Sequence, residues 1–210
     1  MTTYNIIKVN ATKSTNDKVK MLIKSKKINN KDVISAKYQY KGKGQLARRW
    51  FSSYGNNLLC SLYLEFTKDF NSPIYALNFA TSLSVLKTVN FFSKEKSFIK
   101  WPNDILSEKR KISGILIENS FKSSDLSYSI IGTGINVNQT RFNNLKHATS
   151  LKKISGKNID LDEVLDQLLK NYDTYFKRIQ DIRYLHKEFN QNLYGKNTVS
   201  YTHLRAHETN

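Results

Sequence analysis

The chain has 210 residues, 39% hydrophobic and 12% aromatic, which is enough apolar material for one large domain with a buried core and too much for a disordered one. Its 34 Lys and Arg against 17 Asp and Glu leave a formal charge of +17, which invites nucleic-acid or acidic protein partners, although the lysines are scattered along the whole chain instead of forming one patch. No apolar run approaches the roughly eighteen residues of a membrane span, the N-terminal stretch lacks a signal-peptide core, and the lone Cys60 excludes an internal disulfide, so a soluble cytoplasmic protein is expected.

Residues 4–9 have the β-branched character of a first strand. Ser14, Thr15, Asn16 and Asp17 then offer N-cap residues for a helix that turns Val19, Leu22 and Ile23 inward, and on local grounds alone their role is capping. Residues 32–39 alternate weakly as a second strand and lead into Tyr40-Lys41-Gly42-Lys43-Gly44-Gln45-Leu46-Ala47-Arg48-Arg49-Trp50. Two glycines around a lysine permit positive φ and a close approach of main-chain N–H groups to an anion, with Lys43, Arg48 and Arg49 adding charge. The spacing is neither that of a P-loop nor that of a dinucleotide fingerprint, so by itself the stretch serves equally well as a flexible basic surface loop. Trp50 closes it with an indole able to stack on a base or cover an apolar ligand.

Residues 58–66 form an apolar, aromatic-rich strand. Ser72-Pro73 places a cap and a first-position proline ahead of a helix carrying Ile74, Leu77, Thr81 and Val85. Residues 98–118 read as three short strands punctuated by Pro102-Asn103-Asp104 and by a basic turn over 108–111. Lys100 and Lys111 at its two ends, with Asn103 and Asp104 between, suit a site for an anion and a magnesium ion; the same charges also suit a solvated hairpin tip. In 127–138 a run of β-formers is interrupted by Gly132 and Gly134, the mark of a bulge or a close approach, with Asn136 and Asn138 on one face. Asp160 and Glu163 resemble a capping box for a long helix whose apolar stripe extends from Leu161 to Ile179. Strands interleaved with three sizeable helices define an α/β or α+β domain.

Read together, these motifs resemble a biotin protein ligase over roughly residues 14–192. They are Ser14-Thr15-Asn16, Gln39 with its glycine loop, Lys100-Trp101-Pro102-Asn103-Asp104, Lys111-Ile112-Ser113-Gly114-Ile115-Leu116-Ile117-Glu118, Gly132-Thr133-Gly134-Ile135-Asn136-Val137-Asn138 and Ala148-Thr149-Ser150-Leu151. The resemblance implies a central mixed β-sheet with flanking helices, similar to class II aminoacyl-tRNA synthetases. It assigns a catalytic domain to residues 1–190 and, to residues 191–210, the truncated start of a C-terminal SH3-like β domain ending in a foreign-looking tail. It also implies that biotin and ATP react to biotinyl-5′-adenylate, whose acyl group passes to a lysine of an acidic biotin carboxyl carrier protein or domain.

By the same resemblance, Ser14, Thr15, Asn16 and Gln39 hold biotin together with Lys43, Gly44, Gln45 and Gly114. Lys111 contacts the biotin carboxylate and the phosphate and, with Arg48 and Lys43, makes the catalytic set. Arg48, Trp50, Asn103, Asp104 and Asn136 match the ATP end, and Asp104 is the ligand proposed for Mg2+. Catalysis then needs positioning and fixed positive charge and no protein nucleophile, while the loop keeps water from the acyl-adenylate. The chain departs from the common Gly-Arg-Gly-x-x-Gly-Arg loop at Lys43 and Ala47, and it has Gln45 where some members carry Arg. No helix-turn-helix precedes Tyr4, so DNA binding is not expected, and His203 with His207 lacks a third ligand for a metal. A lipoate or other acyl ligase, or a non-catalytic nucleic-acid module, are the competing readings, and the oligomeric state stays open between monomer and homodimer.

Overall fold

The computed structural model describes residues 4–67, 70–142 and 145–195. In chain order the elements are β1 (Asn5–Thr12), α1 (Thr15–Lys24), β2 (Asp32–Gln39), β3 (Asn57–Glu65), α2 (Ile74–Phe92), β4 (Ser97–Lys100), β5 (Asp104–Ser107), β6 (Arg110–Lys122), β7 (Asp125–Asn136), α3 (Leu151–Ser155), α4 (Leu161–Phe176) and α5 (Ile182–Gln191). The strands form one seven-stranded mixed sheet in the order β1-β2-β3-β7-β6-β5-β4. Only β1 and β2 pair in parallel, joined by the α1 crossover that a parallel pair requires, and the other pairs are antiparallel.

Period-two alternation assigns the two faces of the central strands to different cores. Val33, Cys60, Leu62 and Leu64 point into a large core against α2, α4 and α5, which contribute Leu77, Leu83, Leu86, Leu168, Tyr172 and Phe189. Ile34, Tyr63 and Ile130 face the other way and pack under Val19 of α1. Burial on both faces is why residues 58–64 read as an apolar run interrupted only by Ser61. α1 covers only part of the second face, and the uncovered remainder is where the functional side chains collect. No described helix is long and apolar enough to cross a membrane.

Three helix starts differ from expectation. Ser14 stands at the N-cap of α1 but its side chain makes no capping bond, and Pro73 is itself the N-cap of α2 instead of its first helical residue. The helix after Asp160 ends at Phe176, short of Ile179, and Asp181 accepts from the Tyr184 N–H to start α5 afresh. Asp160 does cap α4, accepting from Asp162 and Glu163 N–H at 2.6 and 3.3 Å. At the C-terminal end, Ile99 N donates to Asn192 O and Tyr194 N to Ile99 O, both at 2.8 Å, so the chain runs alongside the β4 edge. Most of the expected SH3-like start, and both His203 and His207, lie outside the described residues.

Candidate active site

Gly114 pairs with Gly134, and Leu116 with Gly132, across β6 and β7, so three glycines leave a shallow bed on the uncovered sheet face. There is no bulge at Gly132 or Gly134; the second expectation for these glycines, close approach, is what the structure shows. A Cβ on Gly132 would collide with the Asn16 amide, and one on Gly134 or Gly114 would stand 2.6 or 2.8 Å from the Trp50 ring. A bulge does occur opposite β5, between Ile105 and Leu106, where Ile105 pairs with Ser113 and Leu106 with Lys111. The extra residue turns Lys111 onto the same face as Gly114, a placement that strict alternation would forbid for residues three apart. The Lys111 side chain therefore lies over the glycine bed, its Nζ 3.4 Å from where a Gly114 Cβ would be.

Around this bed is a cleft of about 370 Å³. Its first wall is the start of α1. Gln39 Oε1 accepts from Thr15 N at 2.6 Å and from Thr15 Oγ1 at 3.1 Å, while Ser61 Oγ bonds to Thr15 Oγ1 at 2.6 Å and to Asn16 Oδ1. Asn16 Nδ2 donates to Glu118 Oε2 at 2.8 Å, and Lys20 holds the other carboxylate oxygen at 2.6 Å. Ser14, Thr15, Asn16, Gln39 and Ser61 are all buried. Thr15, Asn16, Gln39 and Ser61 are fixed in orientation by one another, an arrangement that presents a preset pattern of donors and acceptors to a polar ligand head.

The second wall is the basic loop. Gly44 N donates to Arg48 O at 2.7 Å, Arg48 N to Gln45 O at 3.1 Å and Trp50 N to Gly42 O at 3.0 Å, so the loop is a small hairpin. Its tip is Leu46-Ala47, at φ 52° and 59°. The expected positive φ at the glycines is thus absent; both left-handed residues are non-glycine, the pattern of a type I′ turn. Gly42 is required by contact instead, since a Cβ there would stand 2.5 Å from Trp50 O. Lys43 pairs with Asp17 at 2.6 Å, joining the loop to α1. Lys43, Gly44, Gln45, Arg48 and Trp50 all border the cleft, with Leu46 89% exposed beyond them.

The third wall carries Lys100, Asn103, Asp104 and Lys111. Lys111 Nζ lies 2.6 Å from Asp104 Oδ1 and 5.5 Å from the Trp50 ring centroid. Asn103 Nδ2 donates to Ile115 O at 2.9 Å, and Ile115 N to Asn103 O at 2.9 Å, which fixes the turn that projects Asp104. A second hollow, lined by Lys100, Lys109, Lys146, His147 and Tyr194, opens from the same Asp104 and Lys111. Of the residues assigned to biotin, ATP, magnesium or catalysis, Asn136 alone stays outside the cleft lining. It is buried and donates to Thr149 O at 3.0 Å, one residue pair behind Lys111, whose carbonyl accepts from Thr149 N at 2.9 Å. Its partner predicted for the same face, Asn138, bonds to Ile159 on both its oxygen and its nitrogen.

Sequence reasoning missed Ser61 and Glu118 as a partner of Asn16. Glu118 had a signal, since it ends the Lys111 motif; Ser61 had none beyond a polar residue in an apolar run. Burial pushes the Cys60 thiol up to about 12, so at neutral pH it is an uncharged wall group and no nucleophile. A deep polar end, a hydrophobic ledge and a cationic mouth together suit a small acid with a polar head, activated by a phosphorylated co-substrate.

The sequence model of the biotin/lipoate A/B protein ligase family matches residues 9–136. The chain belongs to that family. It is 33% identical over 110 residues to the bifunctional ligase/repressor BirA of Escherichia coli (strain K12), an overlap that covers 52% of this chain and 34% of that protein. Against the solved biotin protein ligase of Aquifex aeolicus in complex with biotin and ATP, the TM-score is 0.78 at 29% identity, over 90% of this chain and 78% of that one. The Leishmania major biotin protein ligase in complex with biotinyl-5-AMP shares the fold at TM-score 0.76 and 19% identity, covering 94% and 85% of the two chains. The chain spans between a third and a half of the length of the four BirA relatives it matches.

Proposed function

We propose that this protein joins biotin to AMP, using ATP, and passes the biotinyl group to a lysine of a biotin carboxyl carrier protein or domain. The observation that carries this reading is that one cleft brings the buried Ser14, Thr15, Asn16 and Gln39 to one end and Lys43, Arg48 and Lys111 to the other. The first group suits the cyclic urea of biotin, which needs both donors and acceptors. The Trp50 and glycine ledge suits its apolar ring and chain. The cations suit a carboxylate meeting a phosphate.

In this reading, the biotin carboxylate oxygen attacks the α-phosphorus of ATP, the bond to the β-phosphate oxygen breaks, and pyrophosphate leaves. Lys111 neutralises charge that builds on the phosphoryl oxygens, and no protein group becomes covalently bound. Among the described residues no three metal-ligating side chains converge. Magnesium keeps waters and binds through one or two carboxylates plus phosphates, and Asp104 would be the protein's contribution. When bound, the ion would screen the phosphate charge. In the second half-reaction a carrier lysine amine attacks the acyl carbon and AMP departs, with the basic loop held over the mixed anhydride to keep water away. The charge of +17 favours an acidic carrier domain.

The test is exchange of labelled pyrophosphate into ATP with biotin, lipoate or octanoate as the acid, and Lys111→Ala as control. Biotin-dependent exchange that disappears in the variant is the expected result. Exchange only with lipoate or octanoate would move the protein to the other branch of its family, and salt-sensitive RNA or DNA binding without any exchange would overturn catalysis altogether.

A further inference from the structure

We propose that Gln139 is a positioning residue that ties the root of the basic loop to the backbone of Lys111, so that loop order and Lys111 geometry change together. This rests on the cleft being the ligand site described above. The Gln139 Oε1 atom accepts from Ser53 N, at the loop's exit, at 3.0 Å and from Asn57 Nδ2, while its Nε2 donates to Arg141 O at 2.8 Å. One side-chain oxygen thus bridges two donors lying 86 and 82 residues earlier in the chain. Asn57, buried at the start of β3, returns its own Oδ1 to Val137 N at 3.1 Å, and Asn138 N donates to Asn56 O at 2.7 Å.

From this clamp the path to the catalytic wall passes from Val137 to Asn136 through their peptide bond and then continues by hydrogen bonds. Asn136, at the end of β7, donates to Thr149 O at 3.0 Å, and Lys111 is held on both backbone sides, by Thr149 N at 2.9 Å and His147 O at 2.7 Å. In the other direction, Ser53 lies three residues beyond Trp50, the indole of which contacts Gly114, Gly134 and Lys111. Trp50 and Lys111 therefore meet across the cleft and are also joined beneath it through Gln139. A closed ring of contacts of this kind makes partial opening costly, because displacing Gln139 strips Ser53 N and Asn57 Nδ2 of their shared acceptor. The consequence is reciprocal: whatever orders the loop also fixes Lys111, and the reverse.

Amide hydrogen exchange on the full chain without ligand tests this, comparing wild type, Gln139→Ala and Gln139→Glu, with the core amides of α2 as reference. Glu keeps an acceptor for Ser53 and Asn57 and loses only the donor to Arg141. The alanine variant is expected to exchange about tenfold faster over 50–57 and also at Lys111 and Thr149, the scale of one modest hydrogen bond, while Gln139→Glu stays near wild type and α2 is unchanged. Faster exchange over 50–57 with Lys111 and Thr149 unaffected would overturn the tie, as would equal acceleration everywhere, which means plain destabilisation. A second arm adds biotin alone, which is expected to slow both segments in wild type and only one in Gln139→Ala. If biotin slows neither in wild type, the reading of the cleft fails, and the ligand-free comparison still decides the role of Gln139.

Discussion

The Trp50 indole rests so closely on Gly134 that a Cβ there would stand 2.6 Å from the ring. Gly134→Ala must therefore push the indole off the sheet or bend β7, which is a central strand and resists bending. Overpacking of this kind costs about 1–3 kcal/mol, read as a lower denaturant midpoint. Because the ring also contacts Gly114 and Lys111, biotin affinity measured by calorimetry should fall at least about tenfold. An unchanged midpoint with unchanged affinity would show that Trp50 does not sit on the strand in solution.

The loop tip makes the opposite prediction. Leu46 and Ala47, at φ 52° and 59°, occupy the two positions of a tight hairpin turn that favour Asn-Gly. Ala47→Gly removes left-handed strain of roughly 1 kcal/mol at a residue whose native φ glycine adopts freely. The variant should hold its hairpin more firmly and release enzyme-bound acyl-adenylate a few-fold more slowly, measured by a chase with unlabelled ligand. Faster release would mean that the strain is not borne by this turn. The common family loop has glycine at this position, so the variant restores that pattern.

Much of this architecture was legible as periodicity. The second strand matches its expected bounds at Asp32–Gln39, and the apolar run after it became a strand buried on both faces. Alternation has no means to announce a bulge, however, and it is the bulge opposite Leu106 that brings Lys111 over Gly114. The glycine loop was readable as a loop, but not its tip, because leucine and alanine are poor carriers of positive φ and nothing local marks them. Ser14 resembles a cap in sequence, and it is Gln39 and the Ser61 hydroxyl, the latter 46 residues beyond Thr15, that show Thr15 to belong to a buried polar wall. Asn136, matched by resemblance to the nucleotide end, lies outside the cleft lining, where its Nδ2 donates to Thr149 O behind Lys111.

Lys111→Ala separates catalysis from folding. The pair with Asp104 is 2.6 Å long but its side chains are 38% and 22% exposed, so its loss should change stability by less than about 1 kcal/mol. The same change removes a cation that touches both Asp104 and the Trp50 ring, and pyrophosphate exchange should drop by about 100- to 1000-fold. Lys111→Arg keeps charge with a different shape and should recover only part of the rate. A variant that loses folding and activity in parallel would instead make Lys111 a structural residue.

Far from the cleft, Glu188 of α5 staples three helices, pairing with Lys87 of α2 at 2.8 Å and accepting from Tyr175 of α4 at 3.0 Å. Burial raises the Glu188 carboxyl, but hydrogen bonds from Lys87, Tyr184 and Tyr175 outweigh it and hold the group below its ordinary value of 4.5. A carboxylate depressed in the folded state binds its proton more readily once unfolded. Its stabilising contribution is therefore complete above that ordinary value and is lost as pH falls through the lower folded one. Denaturant midpoints measured from about pH 6 down to about pH 3 should fall in wild type, while Glu188→Gln should start lower at neutral pH and show a shallower acid decline. Parallel curves for the two proteins would mean that other carboxylates set the acid limit and that the three-helix staple is not among them.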